Sequence, residues 1–330
     1  MTDTRAPRPT DLVALVTFDE EVRENLAITR DHLGVSNESP RPLAAALEQW
    51  LHLGRRMWIS LGGREIRGIA TARELSRTAW QIDTLIDAPG LGAPDAVSDV
   101  IVDLLRQAAR AARDAQVTRV LLRTPVDSAA AEAAPMAGFR HVVEERLWMG
   151  DRAAADMAAG APEGVAGVRE ATAADTHARF TLYSRAYPVT AREAMAMTLE
   201  EWQDVEDTRW VDRAAPPLLV QEREGRLRAA ARSSSRGQFS LEADPEGAAA
   251  GEALFWELRR RLPPASRQGD GGGDLFGLVV SGSAAEDAAR RAGLQPAGEY
   301  GLFCLRVSHP IREEARDEAF ARAGIAIPGS

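Results

Sequence analysis

The alternation of apolar and polar positions divides the chain into two stretches that predict the same series of elements. In the first, Met57–Ala72 (MWISLGGREIRGIATA) sets apolar runs on either side of a glycine turn, the pattern of a β-hairpin. Thr78–Ile86 (TAWQIDTLI) reads as a further strand. Pro94 and Asp95 suit the first turn of a helix, and Val97, Val100, Ile101, Leu104 and Leu105 then recur at helical spacing, which buries one face. Val117–Pro125 (VTRVLLRTP) is a β-rich run; the next helix closes at Gly138, Phe139 folds back, and Arg140–Met149 returns as a strand. The second stretch predicts a hairpin over Leu218–Ser233, strands at Phe239–Ala243 and Leu275–Val280, a helix around Gly251–Arg261, and a closing strand at Tyr300–Val307.

The likeness extends to the letters. SAAAEAAPMAGF (Ser128–Phe139) aligns with SAAEDAARRAGL (Ser283–Leu294), and the offset of 155 residues between Gly138 and Gly293 also carries Glu144 onto Glu299 and Trp148 onto Phe303. One register thus holds through a helix, a turn and a strand. Upstream, RAPRPTD (Arg5–Asp11) matches REATAAD (Arg169–Asp175), each Asp placed to cap a helix, and LEQW (Leu47–Trp50) matches LEEW (Leu199–Trp202). We read a duplication: one domain over residues 1–150, a small-residue linker over 151–167, a second domain over 168–310, and a charged helical extension over 311–330.

Composition narrows the chemistry. A net charge of −9 argues against nucleic acid or an anionic membrane as the partner, and all 40 basic residues are Arg. One cysteine, Cys304, makes neither an internal disulfide nor a thiolate metal site, and the five histidines show no HxxxH or HxH spacing, so no metal is expected. No apolar run approaches the roughly 20 residues of a membrane span. The expectation is a cytoplasmic protein. There is no G-x-S-x-G elbow, and a chain without lysine has no P-loop.

The element order, the strand–loop–helix step and the Ala129–Phe139 turn followed by a strand resemble the GNAT acetyltransferase superfamily. The resemblance implies an α/β fold with a mixed sheet, two tandem GNAT-like domains, and an acyl-CoA (acetyl-CoA above all) lying where the fourth strand splays from the fifth. It implies backbone pairing with the pantetheine, a glycine turn holding pyrophosphate at a helix N-terminus, and an amine attacking the thioester with the help of a base and an acid. The family's turn is similar to Gly90, Leu91, Gly92 and Ala93, although its leading Gln or Arg is missing; Leu85 and Ile86 are the strand residues leading into it. In the second half Asp244–Gly251 forms a shorter turn, with Glu246 and Glu252 set to repel a phosphate. The first half is therefore the expected cofactor binder.

The family's frequent catalytic Tyr falls on Ala134 and Ala289, neither of which can donate a proton. Asp83 and its second-half counterpart Glu242 are the candidate general bases, against the alternative of solvent-facing acids on half-exposed strands. Gln81 shares the face of Asp83, and Tyr183, Arg185, Tyr187 and Trp210 are candidates for a substrate cleft. Two functions stand open: an N-acyltransferase acting on a small-molecule amine, as monomer or homodimer, or a catalytically degenerate scaffold or small-ligand binder.

Overall fold

The computed structural model describes residues 3–19, 24–30, 33, 45–46, 48–49, 54–63, 65–88, 98–151, 165–209, 215–262 and 274–308. Among them the first half contains β1 (Asp3–Arg5), α1 (Leu12–Asp19), β2 (Arg55–Gly62), β3 (Glu65–Ser76), β4 (Ala79–Asp87), α2 (Asp99–Asp114), β5 (Arg119–Pro125), α3 (Ala129–Met136) and β6 (Arg140–Asp151). The second half contains β7 (Val168–Glu170), α4 (Thr176–Ala186), α5 (Val189–Met195), α6 (Leu199–Arg209), β8 (Leu219–Arg223), β9 (Arg226–Ser233), β10 (Phe239–Ala243), α7 (Ala248–Arg261), β11 (Asp274–Val280), α8 (Ala284–Arg291) and β12 (Gln295–Arg306).

The predicted turns form for the predicted reasons. Gly138 and Gly293 have φ of 89° and 75°, a region an L side chain rarely adopts, and the next residue folds back in each case. Phe139 N–H donates to the Ala134 carbonyl and Leu294 N–H to that of Ala289. Ser128 and Ser283 cap the helices before those turns. Asp11 and Asp175 act differently from simple caps. Each carboxylate reaches back to a backbone N–H three residues earlier, at 2.7 Å, and takes a two-pronged bond from an arginine, Arg5 or Arg169.

Sheet topology binds the halves together. The large sheet runs β1-β2-β3-β4-β5-β12-β6-β11, and a second sheet runs β10-β9-β8-β7. A single parallel bridge, Gln238 to Phe276, brings β10 beside β11. Each half thus inserts its last strand into the other: β12 lies between β5 and β6, and β6 lies between β11 and β12. The register repeats the sequence offset. Glu145 pairs with Tyr300, 155 residues on, while Glu144 pairs with Gly301 and Arg146 with Glu299, which that offset interchanges. A local two-fold relation therefore passes through the Glu145–Tyr300 pair.

Each half has its own apolar layer. The α2 face of Ile101, Leu104, Leu105 and Ala108 packs on Trp58, Ala70, Trp80, Ile82 and Leu85, and the α7 face of Leu254, Phe255 and Leu258 packs on Leu219, Ala229 and Leu241. A third layer crosses between halves, because Met195 of α5 and Trp202 and Val205 of α6 bury against Leu75, Ala79 and Leu121 of the first half. Among the described residues no helix is long and apolar enough to cross a membrane, and no cluster of three or more His, Cys, Asp or Glu is placed to hold a metal.

Candidate active site

Parallel strands β4 and β5 pair only at their beginnings, from Ala79–Arg119 to Gln81–Leu121, and then part. The β3–β4 register slips at this point, with Ile82 opposite Ala72 and Thr84 opposite Thr71, so Asp83 is the extra residue of a bulge. The gap beyond is occupied by the chain itself. Leu26 N–H donates to the Leu85 carbonyl at 2.8 Å on one wall, and Ile28 N–H donates to the Arg123 carbonyl at 2.9 Å on the other. The Asn25 amide completes the closure: its Nδ2 donates to the Asp83 carbonyl at 3.0 Å, and its Oδ1 accepts from Leu85 N–H at 2.8 Å and Ala27 N–H at 3.1 Å.

The equivalent strands of the second half, β10 and β11, part even sooner. Gly277 is where they touch, since a Cβ there would meet the Phe239 carbonyl at 2.5 Å. Asp244 N–H turns to Arg228 on β9, so the two-residue alternation points the backbone groups of Leu241 and Ala243 toward β11. Phe276 N–H donates to the Gly237 carbonyl at the start of this edge, and among the described residues no backbone hydrogen bond crosses from Leu241 or Ala243. The strand leads into α7, whose first-turn N–H groups have no intrahelical acceptor. Arg185, Arg226 and Arg228 gather there on one carboxylate, Asp244, at 3.1, 3.5 and 3.8 Å. The positive end of the helix is thereby reinforced, which offsets Glu246, itself 3.7 Å from Arg228.

Between the gaps lies a buried polar cluster. Glu145 has no solvent exposure and takes 2.5 Å bonds from Arg30 Nη2 and Arg123 Nε. Burial disfavours its charge, but the two guanidinium groups outweigh that and hold the carboxyl at about 2. Arg30 also donates to the Tyr187 hydroxyl at 2.9 Å. Burial, opposed by Arg30 and reinforced by the charge of Glu242, pushes the Tyr187 phenol above its ordinary value. Glu242 on β10 therefore lies within electrostatic reach of Tyr187.

The residues expected from sequence are dispersed by this geometry. Asp83 has both oxygens engaged, by Arg55 at 2.7 Å and Thr71 at 2.5 Å. The backbone of Leu85 is taken by Asn25 and Leu26, and Ile86 is buried against Leu15, Phe18 and Ile59. Gly90, Leu91, Gly92 and Ala93 lie outside the described residues, as do Trp50, Trp210, most of the 151–167 linker and the 311–330 extension. Tyr183 and Trp202 are core, Tyr183 donating to the Ala196 carbonyl. Sequence reasoning passed over Asn25, Arg30, Arg123 and Glu145. Arg123 carried a signal, a charge inside a strand otherwise apolar enough to be buried on both faces, whereas Glu145 lies between Glu144 and Arg146 in a strand of mixed polarity. A separate cavity of about 480 Å³, lined by Arg140, His141, Glu193 and Cys304 among others, lies at the start of β6, away from the open end of the β4–β5 gap. Burial pushes the Cys304 thiol in its wall up to about 11.

The sequence matches no family model and no curated protein. Its structure is similar to that of a GCN5-related N-acetyltransferase from Sphaerobacter thermophilus, at TM-score 0.54 and 16% identity over 94% of this chain and 97% of that one. A tandem GNAT protein from the clavulanic acid biosynthesis pathway aligns over 94% of this chain and 100% of its own, at TM-score 0.49 and 12% identity.

Proposed function

We propose that this chain, which has the fold of the GCN5-related N-acetyltransferases, is an acyl-CoA-dependent N-acyltransferase of small amines whose acyl-CoA is held by the second half. The observation that carries the reading is the unzipped edge of β10, running into a helix N-terminus with three arginines beside it. The glycines at 90–93 favoured the first half, but the strand edge that would receive an extended ligand there is already paired.

Bound acyl-CoA would supply the thioester. The N–H and C=O groups of Leu241 and Ala243 would pair with the amides of its pantetheine arm, as one strand pairs with another. The first-turn N–H groups of α7 would receive the pyrophosphate. Glu242, on the same strand, would take a proton from the incoming amine, with Tyr187 and Arg30 fixing the charge around it. Titration calorimetry with acetyl-CoA tests the proposal, and a folded sample that binds none at millimolar ligand would end it. Ala249→Glu and Gly92→Glu separate the halves. Ala249 is exposed in the first turn of α7, so its replacement brings charge and bulk without disturbing packing. Loss of binding on Ala249→Glu alone is the expected result; loss on Gly92→Glu alone would return the cofactor to the first half.

A second reading, the degenerate scaffold, draws on the first gap: its walls at Leu85 and Arg123 are paired with the chain's own backbone and Asp83 is held by Arg55 and Thr71. Binding of acetyl-CoA with no turnover across a panel of amines would favour it.

A further inference from the structure

We infer that Asn25–Ile28 is a built-in strand that takes the place of an extended ligand arm between β4 and β5, so that the first half has no acyl-CoA site and the chain binds one acyl-CoA rather than two. The inference rests on the proposed activity only for its ligand; the closure itself is a property of the chain. An extended arm in this gap needs a donor for the Leu85 carbonyl, an acceptor for Leu85 N–H and a donor for the Arg123 carbonyl. Leu26 N–H, Asn25 Oδ1 and Ile28 N–H supply all three. The side chains on either side of this backbone are buried in opposite directions. Ala27 joins the α2 layer, whereas Ile28 packs with Leu33, Leu147 and Leu278 on the other face. The segment therefore passes through the sheet and does not lie over it.

Two residues further on, Arg30 anchors the segment to Glu145 and Tyr187. A ligand entering the first gap would have to displace backbone bonds and drag a buried ion pair with them. In the second half the corresponding connection, from α4 to the α6 that carries LEEW, is residues 187–198, and Val189–Met195 of it is wound into α5, which buries Met195 against Leu75, Ala79 and Leu121.

Hydrogen exchange on the full chain tests this without a ligand. The amides of Leu26, Ile28 and Leu85 should exchange at least ~100-fold more slowly than in the unfolded chain, as hydrogen-bonded core amides do. Asn25→Ala and Arg30→Gln should each raise those rates while leaving the amides of β9 unchanged. Saturating acetyl-CoA should leave them unaltered, and calorimetry should give one site per chain. Exchange at the unfolded rate in the free protein would overturn the inference, as would release of these amides by acetyl-CoA or a stoichiometry of two. Failure of acetyl-CoA to bind would remove the acyltransferase reading alone, because protection of the three amides is measured without it.

Discussion

The two gaps between parallel strands occupy equivalent places in the two halves and differ in what fills them. In the first half the connection after α1 is long, and it turns inward to pair with both walls. In the second half the chain after α4 winds into a further helix, α5, and among the described residues no backbone group pairs with Leu241 or Ala243 on the β11 side of β10. Both halves kept the splay because it is set by strand geometry, a short parallel contact followed by divergence. What fills the splay is set by the path the chain takes after the first helix of each half. A duplicated fold can thus preserve a binding architecture in both copies while leaving it accessible in one.

The largest effect should come from the residue on which the two halves turn. Glu145→Ala leaves Arg30 and Arg123 buried without their counter-charge, and urea unfolding should record a loss of about 3–5 kcal/mol. A loss below about 1 kcal/mol would be typical of an exposed pair and would mean that the cluster is hydrated. Next come Leu122 and Gly277, which the 155-residue offset makes equivalent. Leu122 fills the first half's core, so Leu122→Ala should cost about 2–5 kcal/mol. Gly277 has no room for a side chain, so Gly277→Val should overpack the second half by about 1–3 kcal/mol; a neutral result would show that β10 does not press on β11.

Acid should act through the same cluster. The native Glu145 carboxyl is held at about 2 against an ordinary 4.5, so the unfolded chain binds more protons between those values. Stability from this group is present above pH 4.5 and is lost as pH falls toward about 2. Urea midpoints measured across that window should drop, and a flat profile would contradict the buried ion pairs. The smallest difference concerns the matched clamps. Arg5 and the Arg8 N–H lower the Asp11 carboxyl; Arg169 and the Thr172 N–H lower that of Asp175, which takes one more bond, from the Thr172 hydroxyl. Asp175→Asn should therefore destabilise more than Asp11→Asn, and the reverse order in thermal melts would unseat that comparison.

The candidate site was less legible than the fold. Glu242 stood out as a carboxylate on a short strand before a helix, and Tyr187 as one of three tyrosines in the chain. Asp83 also stood out, yet Arg55 and Thr71 hold both its oxygens. Nothing in the letters around Asn25 marks it, because its partners on β4 lie 58 and 60 positions away and are backbone groups that every residue carries. The charge of Arg123 inside an apolar strand was visible, and the cost of burying it unpaired was reason enough to look for its partner; Glu145, between Glu144 and Arg146, gave no such sign.

The sequence by itself determined the duplication, the helices, the hairpins and the glycine turns, because these depend on residues within a few positions of one another. The 155-residue offset stated which residues are equivalent, and the structure adds that two of them, Glu145 and Tyr300, pair with each other. Only the tertiary structure decided that β6 and β12 exchange places between the halves, and that Asn25–Ile28 closes one gap while no described segment pairs into the other. The physical reason lies in the backbone. A period-two pattern states which face of a strand is buried, but the hydrogen-bonding edges are chemically the same in every strand, so their choice of neighbour is made by packing and loop length.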